Sequence, residues 1–242
     1  MILTILIATH FFADFTLQSN SCAQKKTKLF RYLLLHSLIY GITMILSLFL
    51  FISPQNCIWP SAIIVISHFI LDYVRIRADK AFKKPLFHLL SFVFDQLMHI
   101  GVICILVYTM ALELHQSAFL RLLTSRFTIS TCETCSRYVM LFIILFEPAS
   151  VFVRKLSQYV SNVPNSEELP VEMPAGRIIG KLERVVIAIL VLCNQIGAIG
   201  FVLTAKSIAR YRQLEDQAFA EKYLIGTLSS TAIALSLALL LQ

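Results

Sequence analysis

Three His–Asp pairs in this chain of 242 residues share one spacing. His10 and Asp14 are four residues apart, as are His68 and Asp72, and Asp95 and His99. On a helix a separation of four is slightly more than one turn, so both members of a pair project from one face. His36 adds a lone imidazole. Imidazole nitrogen and carboxylate oxygen together suit divalent ions such as Zn²⁺, Mn²⁺ or Fe²⁺. Four His and three Asp exceed one tetrahedral shell. They allow a binuclear site, or one ion whose imidazole ligands are oriented by outer carboxylates. An ion that keeps an open position activates water. The candidate metal ligands are therefore His10, Asp14, His36, His68, Asp72, Asp95 and His99, with Asp14, Asp72 and Asp95 as candidate catalytic carboxylates. The same groups could instead relay protons or ions, or simply satisfy one another while packing helices.

All seven residues lie in apolar runs, and that is what makes them informative. The chain is 57% hydrophobic and only 14% charged, well outside the range of soluble domains. A soluble fold of this size would leave large apolar patches on its surface, whereas a bilayer removes the difficulty. The expected fold is all-α, a polytopic transmembrane helix bundle of six or seven spans. The candidate spans are Ile2–Leu17, Phe30–Ile52, Ile58–Val74, Leu86–Leu112, Tyr138–Val153, Leu182–Thr204 and Leu224–Leu241. Helices are required because unpaired backbone cannot face lipid, and the alternation of barrel strands is absent. The first run has no basic stretch before it and contains His10 and Asp14, so it reads as a span rather than a discarded leader. Glu147-Pro148 marks Tyr138–Val153 as a helix that could be broken or interfacial.

The cations sit between these runs. Lys25, Lys26, Lys28 and Arg31 fill the first loop, and Arg75, Arg77, Lys80, Lys83 and Lys84 the third, while the second has none. Cytoplasmic loops carry such excess, which places the N-terminus outside and all seven candidate ligands in the cytoplasmic half of the bilayer. Four consecutive helices offering polar groups at one depth is what a bundle-core site needs. The net charge of +7 reflects these loops and forms no stripe with stacking aromatics, which excludes nucleic acid as a partner. The expected organisation is a membrane half over 1–112 carrying the His/Asp cluster, an extracytoplasmic loop over 113–137, and a second membrane half over 138–242 with a polar loop at 154–181. Cys132 and Cys135 fall in the extracytoplasmic loop, as ordinary loop thiols or as a disulfide.

A second polar set follows: Arg177, Glu183, Arg184, Lys206 and Arg210, read as surface anchors or as contacts to lipid headgroups or an anionic substrate. Glu183 and Lys206 flank the sixth expected span. Direct pairing between them is therefore not expected, and Glu183 with Arg184 or Arg177, or Lys206 with Glu221, are the local alternatives.

The stretch His10-Phe-Phe-Ala-Asp14-Phe-Thr-Leu-Gln18, with Leu35-His36, His68-Phe-Ile-Leu-Asp72 and Asp95-Gln96-Leu-Met-His99, resembles a bacterial membrane family known as domain of unknown function 3307. Gly176-Arg-Ile-Ile-Gly180-Lys-Leu-Glu183-Arg184, Ala205-Lys206-Ser-Ile-Ala-Arg210 and Tyr223-Leu-Ile-Gly226-Thr227 look like that family's second block. The resemblance implies a bacterial inner-membrane protein and brings no established activity. The His/Asp pattern also looks like that of membrane proteins described as metal-dependent hydrolases. Three functions stay open: a metal-dependent hydrolase acting on a lipid or lipid-linked substrate, an ion or proton-coupled transporter, and a non-enzymatic membrane scaffold. Confinement of the polar groups to one leaflet counts against the transporter.

Overall fold

The computed structural model describes residues 1–115, 117–160 and 174–242, and every regular element among them is helical. In chain order these are α1 (Ile2–Phe11), continued by a π-helical turn (Phe12–Thr16), α2 (Asn20–Lys26), α3 (Phe30–Phe51), α4 (Pro54–Ala81), α5 (Pro85–Thr109), α6 (Ala118–Thr124), α7 (Ile129–Val160), α8 (Pro174–Leu192), α9 (Ala198–Ala209), a 3₁₀ turn (Tyr211–Glu215) and α10 (Gln217–Leu241). Among the described residues, α3, α4, α5 and α10 are long and apolar enough to cross a membrane.

α3 shows why these sequences choose a bilayer. Leu34, Leu38, Ile42 and Leu46 recur every four residues and are 49–59% exposed. The opposite face buries Leu33, His36, Tyr40, Met44 and Leu48. A helix that turns its leucines outward and its histidine and tyrosine inward has the pattern of a lipid-facing span, and water would penalise it.

The described chain forms two compact units: Met1–Phe82 with Leu90–Ile143, and Lys83–Leu89 with Ile144–Gln242. In the first unit α3 packs against α1, α2, α4 and α6. Leu6, Tyr40, Met44, Ile64 and Ile103 belong to its apolar core. Gly41 lets α3 approach α4 closely, since a Cβ there would stand 3.2 Å from both methyls of Val65. The segment expected to be an extracytoplasmic loop is largely helical: it contains α6 and the first two turns of α7. Cys132 and Cys135 accordingly lie on a helix, with free thiols.

In the second unit three expectations change. α7 runs unbroken through Pro148 to Val160. The ends of the expected polar loop are helical, in α7 and α8, while its centre, residues 161–173, lies outside the described residues. The expected span Leu182–Thr204 is two helices. Asn194 stops α8 with a left-handed backbone (φ 58°), and two bonds close the end: Asn194 N–H to Val191 O (2.8 Å) and Gln195 N–H to Leu190 O (2.7 Å). This is a Schellman ending, with asparagine in the place usually taken by glycine. The chain then turns back, so α8 and α9 run antiparallel and Lys206 Nζ reaches Glu183 Oε2 at 2.6 Å. The expectation that these two residues stand at opposite ends of a span fails because the break halves the span. Asn194→Val will lower the unfolding midpoint of the detergent-solubilised protein, by about 1–2 kcal/mol of stability, whereas Asn194→Gly will be near neutral. Equal effects of the two changes would contradict a left-handed cap.

Candidate metal centre

Each element of the first unit delivers its polar groups for a local reason. α1 ends in a π turn, recorded by the Leu17 N–H to Phe12 O bond of 3.0 Å, and Asp14 lies within it. Such turns cluster at functional sites because the extra residue re-aims a side chain. On α3, His36 and Tyr40 occupy the inward stripe, four residues apart. On α4, His68, Asp72 and Arg75 follow at spacings of four and three. α5 supplies Asp95, Gln96 and His99. None of the seven residues singled out from the sequence is more than 4% exposed.

Four of them converge. One atom each from Asp14, His36, His68 and Asp72 lies within 4.8 Å of all the others. His36 Nε2 is 3.1 Å from Asp14 Oδ1 and 3.3 Å from Asp72 Oδ2. It is also 3.2 Å from His68 Nε2, which in turn is 3.9 Å from Asp72 Oδ2. Four ligands at 2.0–2.2 Å from a central ion in a tetrahedron stand about 3.3–3.6 Å apart, and these separations bracket that value. A single proton on His36 Nε2 cannot serve two carboxylate oxygens and another imidazole nitrogen at once. A shared cation can satisfy all of these lone pairs together, so the donor set fits a divalent ion.

The other three surround this group without joining it. His10 Nδ1 is 3.1 Å from the Tyr40 hydroxyl and its Nε2 is 3.2 Å from Gln96 Oε1. The Gln96 amide nitrogen donates to Asp14 Oδ2 (3.2 Å) and Asp95 Oδ2 (3.1 Å). With both ring nitrogens engaged, His10 holds Tyr40 and Gln96 in place. Asp95 also accepts from Arg75 Nη1 at 2.9 Å, while its Oδ1 is buried without a hydrogen-bond donor. His99 Nδ1 bonds the backbone carbonyl of Asp95 at 2.7 Å, and its Nε2 is buried without a partner. The Asp95–His99 spacing thus closes a turn of its own helix, with Asp95 Oδ1 3.7 Å from the same ring nitrogen.

Sequence reasoning missed four members of the cluster. Tyr40 stacks on the His68 ring, centroids 3.6 Å apart. Its place four residues after His36 was the available signal. Gln96 adjoins Asp95, and Arg75 follows Asp72 by three. Lys26 Nζ reaches Asp72 Oδ2 at 2.9 Å from α2, and nothing in its basic loop distinguishes it from Lys25 or Lys28.

Of the second polar set, Arg177 is exposed on α8 and Arg210 closes α9. Glu183 pairs with Lys206, not with Arg184 or Arg177, and Lys181 pairs with Glu147. Glu221 receives a bond from Gln217. Arg184 is 3% exposed and faces inward onto α7 and α10.

No curated protein and no solved structure matches this chain. A family model does: residues 2–126, which include all four converging donors and everything that surrounds them, match "Protein of unknown function (DUF3307)", and the chain belongs to that family.

Proposed function

We propose that this is a multi-pass protein of the bacterial inner membrane in which Asp14, His36, His68 and Asp72 hold one divalent ion (Zn²⁺, Mn²⁺ or Fe²⁺), and that the loaded protein hydrolyses a lipid or lipid-linked substrate. The observation that carries the reading is the set of contacts around His36 Nε2, spaced as the edges of a ligand tetrahedron. Charge supports it. The buried carboxylates Asp14, Asp72 and Asp95 outnumber the two cations that pair with them, Lys26 and Arg75, so with the imidazoles uncharged the cluster carries excess negative charge. Burying such an excess unrelieved is costly, and a bound cation relieves it.

When bound, the ion would supply an acidified water. Asp95, outside the ligand group and with a free buried oxygen, is the carboxylate placed to take a proton, and Arg75 fixes its orientation. α1 with its π turn, α7 and the α8–α9 hairpin accompany the four long helices in the membrane, for six or seven passages with the N-terminus outside. Arg177 and Arg210 contact headgroups.

The test is elemental analysis of protein purified under gentle extraction, expected to return about one ion per chain. Release of a water-soluble product from phospholipid vesicles should then stop on chelation and resume on adding the ion. Wild-type protein that neither carries nor takes up a divalent ion would sink the reading.

A further inference from the structure

Lys26 is the least expected member of the cluster. It ends a seven-residue helix in a basic stretch, yet its side chain is 9% exposed and donates to Asp72 Oδ2, an oxygen that also lies 3.3 Å from His36 Nε2 and 3.9 Å from His68 Nε2. Arg75 is differently placed. Asp95 and Asp79 both hold it, at 2.9 and 3.8 Å. No second carboxylate pairs with Lys26 among the described residues.

That difference matters once an ion is present, and the inference rests on the metal reading above. A dication seated among Asp14, His36, His68 and Asp72 draws on the oxygen that neutralises the ammonium. Lys26 is then a buried cation next to a dication, sharing one carboxylate oxygen with it. Like charges at such range in a dry site repel strongly. The ammonium must leave the site, lose its proton or gain an anion. Gaining an anion keeps both its charge and its largely buried position, with the side chain 9% exposed.

We infer that Lys26 is the anion-binding residue of this centre, and that the anion is a phosphate group of the substrate, held between the ion and the Lys26 ammonium. Lysine binds phosphate as a point charge. Lys25, Lys26, Lys28 and Arg31 cluster at the start of the apolar run of α3, and basic stretches that flank a span attract lipid phosphates. The ion and Lys26 therefore create the phosphate site together, and neither suffices alone.

The test uses the full chain in dodecyl maltoside, which carries no phosphate, with Mn²⁺ and inorganic phosphate as probes. Electron paramagnetic resonance counts bound Mn²⁺. Enhanced ³¹P relaxation reports phosphate beside it. Wild type and Lys26→Arg should each bind Mn²⁺ and then phosphate, and phosphate should bind only after Mn²⁺. Lys26→Met should still take up Mn²⁺ yet bind phosphate roughly tenfold more weakly or worse, the loss expected of a hydrogen bond to a charged group. Phosphate binding that is independent of Mn²⁺, or equally tight in Lys26→Met, would overturn the inference and leave the metal reading intact. Failure of wild type to bind Mn²⁺ would remove both. In nanodiscs, phosphatidylglycerol but not phosphatidylcholine displacing inorganic phosphate would identify an anionic lipid headgroup as the source. Displacement by neither would identify a soluble phosphate compound.

Discussion

Asp14→Asn will cost the protein its divalent ion, and Asp95→Asn will not. Both carboxylates are buried and both accept a bond from the Gln96 amide, and they differ in one respect that matters: Asp14 places an oxygen 3.1 Å from His36 Nε2, inside the converging set, and Asp95 places none there.

 Asparagine keeps the shape and can still accept from Gln96, so the fold is spared while the charge and the ligand oxygen are lost. The expected loss at Asp14 exceeds the roughly 10–100-fold fall in metal affinity that follows removal of a group hydrogen-bonded to a ligand. Gln96→Leu is the measure of that smaller effect, because Gln96 orients Asp14 without joining the donor set. Titration against a competing chelator should therefore rank the variants Asp14→Asn, then Gln96→Leu, then Asp95→Asn, with the last close to wild type. Equal losses at Asp14 and Asp95 would mean that the ion sits elsewhere in the cluster, and no loss at Asp14 would mean that it does not sit there at all.

The ligand group was legible because ionisable residues in apolar runs are conspicuous, and because a spacing of four fixes a common helix face whatever the partner. That argument located His10, Asp14, His36, His68, Asp72, Asp95 and His99 in one neighbourhood. It could not sort them. Which side chains converge depends on rotamers and on helix rotation, so Asp95–His99 has the same spacing as His68–Asp72 and a different use. The π turn at Phe12–Thr16 was invisible for a related reason: it changes the phase of Asp14 without a marker in composition. In the sequence Lys26 and Arg75 have the look of orientation signals, and a loop charge gives no hint that its side chain turns inward. The break at Asn194 was nearer to hand. Asn194 and Gln195 are the polar interruption in an otherwise apolar stretch, and asparagine tolerates the left-handed backbone that ends a helix. Reading the stretch by hydropathy alone joined what the chain divides, and with that the meeting of Glu183 and Lys206 was lost.

Arg184→Lys will destabilise the second unit more than Arg184→Met will, although lysine is the conventional conservative choice. The guanidinium is buried among α7, α8 and α10. Nε donates to Leu145 O at 2.7 Å, Nη1 to Ser230 Oγ at 3.0 Å, and Nη2 to Phe146 O at 3.2 Å and to Ser150 Oγ. Pro148 lies in the same turn of α7 and lacks the N–H that would serve Ile144 O, one residue before the carbonyls that Arg184 meets. Only a planar fork reaches partners on two helices at once. A lysine ammonium retains the full cost of burying a charge while meeting fewer of these acceptors, which resembles breaking a buried ion pair and should cost about 3–5 kcal/mol. Methionine discards the bonds and the charge together. The hydroxyls of Ser150 and Ser230 can turn to their own helices, and Ser150 already donates to Phe146 O, so the loss should be about 1–2 kcal/mol. Unfolding of the two variants in matched detergent, followed by circular dichroism, would decide the order. The reverse order would show that the positive charge itself contributes, and that would return Arg184 to the role of a contact for an anion, with the hydrogen bonds to α7 and α10 as its scaffold.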